Sequence, residues 1–184
     1  MDLKDFLEEK VLQYNHPEFI SSDPISIPHR FSKKQDIEIS AFLCATIAWG
    51  QRLTIIRNAT ELMRRMDFAP HDFILNHSKK DLFQFKNFKH RTFNKTDLEF
   101  FLKSLKNIYK KNNSLEETFK GKTAKESISN FRKTFFSISS PSRTLKHVSK
   151  PPPLSPSGGG HGGGSSCKRL NMFLRWMEIG RAHV

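Results

Sequence analysis

The chain has 184 residues, enough for one domain or for one domain and part of another. Hydrophobic residues make up only 36%, but 17 phenylalanines supply apolar volume for a core, and two cysteines exclude a disulfide framework or a cysteine-based metal centre. The formal net charge of +13 favours a polyanionic partner, DNA first, although lysines on solvated faces would give the same value.

The amino end is acidic and amphipathic, without the charged-then-apolar order of a signal peptide. No apolar run approaches the roughly 18 residues of a membrane span. We therefore expect a cytoplasmic protein without membrane contact. The eight histidines are scattered, so we expect no metal site, and no pattern indicates a small-molecule cofactor.

The first half of the chain is predicted to consist of helices around one buried centre. Apolar residues at spacings of three and four predict a helix over 2–14, and three prolines predict an irregular, extended stretch over 15–32. Asp36 is predicted to cap a helix that ends before Gly50. Nearly every side of that helix is apolar or small, so we expect it to be the buried central helix.

The remaining elements follow from the same periodicities. Aromatic and basic residues alternate over 85–93, which fits a strand or an extended loop. Helical segments are predicted over residues 53–66, 70–74, 78–83, 95–110, 115–119, 123–136 and 167–177. A chain of several helices with at most one extended hairpin is all-α.

Residues 137–166 differ in kind from the rest of the chain. They include three consecutive prolines and a run of glycines around His161, which bury no surface and raise the entropy cost of order. We predict a disordered loop or linker here. It would join a helical domain over 1–136 to a last helix of the same domain over 167–177.

The carboxyl end, residues 178–184, can be read as the codons GAG-ATC-GGA-AGA-GCA-CAC-GTC, which resemble the start of a widely used sequencing adapter. An ordinary helix end with Gly180 as its stop is the alternative. We favour the adapter origin and expect an artefactual tail on a fragment of a longer protein. The apolar side of the last helix, with Phe173 and Trp176, would then be exposed and prone to aggregation.

Residues 36–52, 88–93 and 167–177 carry a resemblance to a known family, with residues 141–147 in support. They make the chain similar, up to Met177, to an uncharacterised bacterial family with a domain of unknown function. Full-length members resemble helix-hairpin-helix DNA glycosylases. The resemblance therefore implies an incomplete helical domain similar to the amino-terminal part of such an enzyme.

Two departures limit what the resemblance carries over. The chain ends before the hairpin and before the positions of a catalytic Asp or Lys, so no catalytic residue is assigned. The Pro/Gly-rich stretch is also longer than the few residues that family members have there.

The same resemblance implies a DNA-contacting role for the turn after the central helix. In the glycosylases a buried helix ends in a glutamine-containing turn that approaches the DNA opposite the flipped base. Gly50 and Gln51, followed by Arg52, have that form here. A plain helix–turn–helix connection is the alternative.

Lys89, His90 and Arg91 lie among aromatic residues. Such a segment can bind a nucleic-acid strand, because cations hold phosphates and rings stack on bases. We favour the other interpretation, in which the rings belong to the core and the charges are solvated.

Two further groups of basic residues are candidate phosphate contacts. Arg143, Lys146 and His147 lie in a basic loop of the kind that contacts DNA backbones. Lys168 and Arg169 lie near the start of the last helix, where positive charge opposes the helix dipole and a bound anion would offset the cost.

The leading function hypothesis is DNA binding, with a glycosylase-like repair role for the intact parent. Phosphate contact by the basic surface would precede base extrusion. The alternative is a non-catalytic helical module that contacts protein or RNA.

Overall fold

The computed structural model describes residues 2–14, 16–152 and 165–181, with side chains up to residue 177. The fold is all-α, as predicted, with one small hairpin. The α-helices are α1 (Leu3–Tyr14), α2 (Pro17–Ser22), α3 (Lys34–Ile47), α4 (Arg52–Arg64), α5 (Pro70–Asn76), α6 (Lys95–Tyr109), α7 (Ala124–Phe135) and α8 (Lys168–Arg181). Short 3-10 helices cover Pro24–Ser26, Pro28–Arg30, Asp81–Phe85, Leu115–Phe119 and Ser142–His147. The hairpin strands are β1 (Lys89–His90) and β2 (Phe93–Asn94), antiparallel to each other.

Helix α3 is the centre of the fold. Every residue from Glu38 to Ile47 is buried, which confirms the predicted central helix. Its most extensive contact is with α8, and it also packs against α4 and α5. A helix that is apolar on all sides has to pack against other elements on every side.

Phe42 organises the core around α3. Its ring centroid lies 5.2 Å from that of Phe131, 5.4 Å from Phe135, 5.6 Å from Phe101 and 5.7 Å from Phe173. These rings belong to α6, α7 and α8. One aromatic cluster therefore joins four helices, and such pairs stabilise beyond their buried area.

The stretch over 15–32 is more regular than predicted. It contains α2 and the first two 3-10 helices, and each begins with a proline: Pro17, Pro24 or Pro28. Proline fits the first helical position because the N–H it lacks would have no helical partner there. Here the prolines start helical turns, which corrects the extended prediction.

Asp36 does not cap α3, whose N-cap residue is Lys33. Asp36 lies in the first turn, and its Oδ1 accepts a hydrogen bond from the backbone N–H of His71 at 2.8 Å. That N–H belongs to the first turn of α5, where backbone donors lack helical partners. The carboxylate thus caps a neighbouring helix.

The predicted strand or extended loop over 85–93 is largely a tight turn. Its ordered part is the two-residue pairing of Lys89 with Asn94 and His90 with Phe93. Arg91, in the connection, has a φ of +53°. The rings of Phe85, Phe88 and Phe93 are buried while Lys89 and Arg91 are exposed. That distribution matches the interpretation in which the rings are core.

The first part of the predicted disordered segment is folded. Residues 142–147 form a 3-10 helix in which Thr144 and His147 are buried, and Val148 is buried after it. Contacts with α6 through Asp97, described below, supply the order that composition did not predict. Residues 153–164 of that predicted segment lie outside the described residues.

Helix α8 packs into the domain instead of exposing its apolar side. Phe173 is 2% exposed and Trp176 is 8% exposed, because α8 lies along α3 and meets the aromatic cluster. The expected aggregation-prone patch is therefore wrong for these two rings. The backbone continues as helix to Arg181, and residues 182–184 lie outside the described part.

Two properties of the described residues bear on the expected partners. Within residues 2–14, 16–152 and 165–181, no helix combines the length and the apolar character that crossing a bilayer requires. Over the same described ranges, His, Cys, Asp and Glu side chains form no group of three that could hold a metal ion.

Candidate nucleic-acid interface

The predicted basic residues meet around the turn that joins α3 to α4. After α3 ends at Ile47, the backbone passes through Trp49 and Gly50 before α4 begins at Arg52. Gly50 has a φ of +105°, which only glycine adopts without a steric penalty from Cβ. This conformation turns the chain sharply and leaves Trp49 half-buried at the surface.

Three side chains from distant segments surround the Trp49 ring. The Arg169 guanidinium lies 4.7 Å from the ring centroid, in a cation–π contact. The His147 ring is nearly parallel to it, with centroids 6.0 Å apart, and the His90 ring is perpendicular at 5.1 Å. Trp49 is thus where the hairpin, the 3-10 helix Ser142–His147 and α8 come together.

Buried Asp97 holds the 3-10 helix Ser142–His147 in place. It accepts hydrogen bonds from Arg143 Nε at 3.2 Å and Nη2 at 3.1 Å, and from Thr144 Oγ1 at 3.0 Å. It also accepts from the backbone N–H of Asn94 at 3.0 Å, as part of a capping box at the start of α6. A fully buried carboxylate needs such donors, and here they fix a surface segment.

The pKa of His147 is strongly lowered. Burial is the main cause that lowers its pKa to about 4; Asp97 opposes the shift, and the charges of Arg169, Lys146 and Arg143 act in the same direction as burial. Its Nε2 lies 3.5 Å from Asp97 Oδ2, without hydrogen-bond geometry, and has no hydrogen-bond partner among the described residues. The ring is therefore neutral at pH 7.

His90 is also buried beside Trp49. Its Nε2 donates to the carbonyl oxygen of Trp49 at 3.1 Å, and its Nδ1 accepts from Asn58 Nδ2 at 2.9 Å. Burial lowers the pKa of His90, and the Arg91 charge acts in the same direction. The hydrogen bonds tie the hairpin to the α3–α4 turn.

Arg169 completes the end of α3. Its Nη1 donates to the carbonyl oxygen of Thr46 at 2.8 Å, and its Nη2 donates to that of Lys146 at 3.2 Å. A cation near a helix carboxyl terminus interacts favourably with the dipole and with carbonyls that lack helical partners. The dipole of α3 thus offsets the unfavourable position of Arg169 in the first turn of α8.

Further basic side chains lie on the segments that meet at Trp49. Arg91 lies against Gly50, so close that a Cβ on Gly50 would be 3.0 Å from Arg91 Nη1. Arg52, next to the turn, is 3.8 Å from Asp23 and lies over the ring of Phe19. We call the following set the Trp49 face: Trp49, Gln51, Arg52, Lys89, Arg91, Lys146, Lys168 and Arg169.

The structure brings together most of the residues that the sequence singled out, but two of them are not on the surface. His90 is 2% exposed and His147 is 4% exposed, because both rings pack against Trp49. Their predicted role in nucleic-acid binding stays a prediction, and the contacts that the structure gives them are inside the protein. Arg143 is paired with Asp97 and is 42% exposed at its side chain.

The central members of the site were missed from sequence. Trp49 received no role, although a tryptophan directly before a helix-breaking glycine is a visible signal. Asp97 could have been found from the capping-box spacing of Asn94 and Asp97. Its pairing with Arg143, 46 residues away, carries no local signal.

Comparison with known proteins adds one finding. The family model described as protein of unknown function (DUF2400) matches residues 23–179. No curated protein and no solved structure is significantly similar to the chain. The match covers the whole Trp49 face and begins after α1.

Proposed function

Because this chain belongs to a family whose function is unknown (DUF2400), its activity has to be inferred from the site, and we propose that the Trp49 face binds DNA. The observation that carries the proposal is that separate segments, each carrying a cation, meet at Trp49. Arg91 comes from the hairpin, Lys146 from a 3-10 helix and Lys168 from the start of α8. Phosphates are the ligands that such convergent Lys and Arg side chains hold.

The arrangement is preorganised for this role. Asp97 fixes the segment that carries Lys146, and His90 fixes the hairpin that carries Arg91. Fixed cations lose little conformational entropy on binding. The buried histidines therefore act as supports, and the exposed side chains make the contacts.

An apolar side chain stands beside these cations. Leu53, in the first turn of α4, is 82% exposed and follows exposed Gln51 and Arg52. DNA-binding proteins use apolar wedges of this kind to open base steps. With the resemblance to helix-hairpin-helix glycosylases, this extends the proposal to a repair-type role that includes base extrusion.

The direct test is binding of duplex DNA by the full chain, measured by fluorescence anisotropy over a range of salt concentrations. We expect log affinity to fall linearly with log salt. Arg91→Ala and Lys146→Ala should each reduce the slope by about 1, with a similar loss on every sequence.

Lys111→Ala is the matched control. It removes the same charge two residues after the far end of α6, a helix that extends roughly 18 Å from Asp97 at 1.5 Å per residue. It should leave the slope unchanged. A flat salt response of the unmodified chain, or an equal loss in the control, would refute DNA binding at this face.

Base extrusion has its own readout. A duplex that carries 2-aminopurine should become more fluorescent on binding, and Leu53→Ala should abolish the increase while the phosphate contacts persist. An unchanged signal with the bound wild-type chain would remove the repair-type part of the proposal and leave DNA binding standing.

A non-catalytic module for protein or RNA contacts is the second candidate, and α1 favours it. No residue of α1 is buried, and Leu3, Phe6, Leu7 and Val11 are between 44% and 70% exposed. They share one side of the helix, which is the arrangement of helices that dock into apolar grooves. DNA binding that survives every change in the Trp49 face would favour this candidate.

A further inference from the structure

Arg52 differs from the other cations of the Trp49 face because a carboxylate already holds it. Its Nε lies 3.8 Å from Asp23 Oδ2, and its guanidinium lies 5.5 Å from the centroid of the Phe19 ring. Among the described residues, the remaining cations of the face have no carboxylate within salt-bridge distance. Both partners of Arg52 belong to the segment that precedes α3.

That segment is the acidic part of a basic chain. Residues 2–23, which we call the acidic arm, contain six carboxylates and two lysines, whereas the whole chain has 31 Lys and Arg against 18 Asp and Glu. The arm includes α1, α2 and Asp23. It therefore brings negative charge next to the surface on which the cations of the Trp49 face lie, and the two attract each other.

The acidic arm is attached to the Trp49 face but not to the core. Tyr14, at the end of α1, is edge-on to Phe19 with ring centroids 5.5 Å apart, and Phe19 in turn lies under Arg52. Two steps of 5.5 Å put the end of α1 within about one Debye length of Arg52 at about 0.1 M salt. No residue of α1 or α2 is buried, so the arm can leave Arg52 without uncovering the aromatic cluster.

The contact between Asp23 and Arg52 is weak enough to be replaced. The two atoms are 3.8 Å apart and the Arg52 side chain is 51% exposed, and ion pairs exposed to water contribute little to stability. A phosphate group can approach a guanidinium more closely, through two parallel hydrogen bonds. DNA bound at the Trp49 face would therefore take Arg52 from Asp23.

We propose that the acidic arm is a built-in competitor of DNA: Asp23 holds Arg52 in the absence of DNA, and the carboxylates of the arm are displaced when DNA binds. This inference rests on the proposed function, because DNA is the ligand with which the arm competes. The arm lowers the affinity for every sequence by a similar factor, since it acts on charge and not on bases.

Asp23→Asn in the full chain is the first test. Asp23 Oδ1 also accepts a hydrogen bond from the Ile25 N–H at 3.0 Å, which the amide oxygen of asparagine can keep. We expect the affinity for duplex DNA at low salt to rise about threefold, the scale of an exposed ion pair, and the gain to shrink as salt increases. Damage to the fold would lower the affinity instead.

Glu126→Gln is the matched control. Its carboxylate also accepts a backbone hydrogen bond, from the Lys122 N–H at 2.8 Å, and the substitution removes the same charge. Glu126 lies in the first turn of α7, beside Ser127, which lines a cavity together with Glu38 near the start of α3. The Trp49 face lies at the other end of α3, so the control should leave DNA affinity unchanged.

A double substitution extends the test from Asp23 to α1. Glu8→Gln with Glu9→Gln removes two exposed charges from the helix that Tyr14 ends, and the affinity at low salt should rise about twofold. Glu117→Gln with Glu126→Gln makes the same change in charge away from the face and should give no such gain.

Iodide probes the same face without DNA. It quenches tryptophan fluorescence as an anion, whereas acrylamide quenches without charge. Trp49 is half-buried and Trp176 is 8% exposed, so iodide mainly reports Trp49. Asp23→Asn should raise iodide quenching about 1.5-fold at constant ionic strength and leave acrylamide quenching unchanged.

The two readouts separate the inference from the function on which it rests. If neither DNA affinity nor iodide quenching rises in Asp23→Asn relative to Glu126→Gln, the acidic arm is not a competitor, and DNA binding by the wild-type chain still stands. A loss of affinity in Asp23→Asn would equally overturn the inference, because Asp23 would then orient Arg52 for DNA. Raised iodide quenching without salt-dependent DNA binding by any chain would refute the proposed function and leave the arm as an electrostatic screen of the face.

Discussion

At the scale of single residues, the Trp49 face depends on polar groups that the solvent does not reach. Asp97 is fully buried and accepts hydrogen bonds from Arg143, Thr144 and Asn94, so it orders a segment that would otherwise be loop. Burial of a carboxylate is costly unless every oxygen is satisfied. The same bonds therefore stabilise the fold and set the position of the neighbouring Lys146.

The pKa of His147 predicts a pH-dependent stability. It is about 4 in the folded chain against 6.5 for an unperturbed histidine, so the unfolded chain binds the proton first as the pH falls. The contribution of His147 to the free energy of unfolding is fully present above about pH 6.5 and is lost as the pH falls to about 4. The loss amounts to about 3 kcal/mol, measurable by urea unfolding at pH 7 and pH 4.

His147→Phe is the reference for that measurement. It keeps an aromatic ring against Trp49 and removes the titration, so its stability should change less between the two pH values. His71, His77 and His90 have pKa values lowered by burial too, but they remain in both chains and cancel in the comparison. Parallel pH profiles would show that His147 is not buried neutral.

Residue types were easier to predict than partners. The cations of the Trp49 face could be picked out because charge and local pattern are visible in the sequence. Asp97 and Arg143 are 46 residues apart, and Arg169 and Thr46 are 123 apart, so no local pattern connects them. Which histidines are buried depends on those long-range contacts, so the burial of His90 and His147 could not be seen in the sequence.

At the scale of elements, a substitution in the α3–α4 turn can test the geometry of the site. Gly50→Ala should destabilise the chain by about 1–3 kcal/mol, because a φ of +105° is strained for any residue with a Cβ. The added methyl would also meet the guanidinium of Arg91 at 3.0 Å. Urea unfolding gives the first effect, and DNA affinity reports the displaced Arg91.

Gln51→Ala, one residue further, is the control for the turn. Gln51 is exposed and makes no side-chain capping bond, so the change should stay within about 0.5 kcal/mol. Equal effects of the two substitutions would mean that the backbone at Gly50 is not held in this conformation.

The long helices could be predicted because the apolar residues that recur at helical spacing are the residues that pack in the core. Helices α3, α4, α6 and α7 lie within a few residues of their predicted bounds. Of the short 3-10 helices, Leu115–Phe119 was predicted with these bounds and Asp81–Phe85 was predicted nearby. The others were not predicted, because three to six residues carry no periodicity and their order comes from neighbours. Pro24–Ser26 and Ser142–His147 are the clearest cases, and the second carries part of the site.

At the scale of the whole molecule, α1 stands apart from the core. None of its residues is buried, so removal of residues 1–14 should change the free energy of unfolding by less than about 0.5 kcal/mol. The exposed apolar stripe should instead promote self-association of the full chain at high concentration. Sedimentation velocity and thermal melts of both chains measure the two effects, and a large loss of stability would show that α1 packs on the domain.

The contact between α3 and α8 sets the timing of folding during synthesis. The two helices join residues 34–47 to residues 168–181, so the central helix is made about 120 residues before its main cover. At 5–20 residues per second the ribosome needs roughly 6 to 24 s to bridge that gap. Throughout that interval Phe42 and its neighbours in the nascent chain are not yet covered by α8. The chain is therefore a client for chaperones until this last helix emerges.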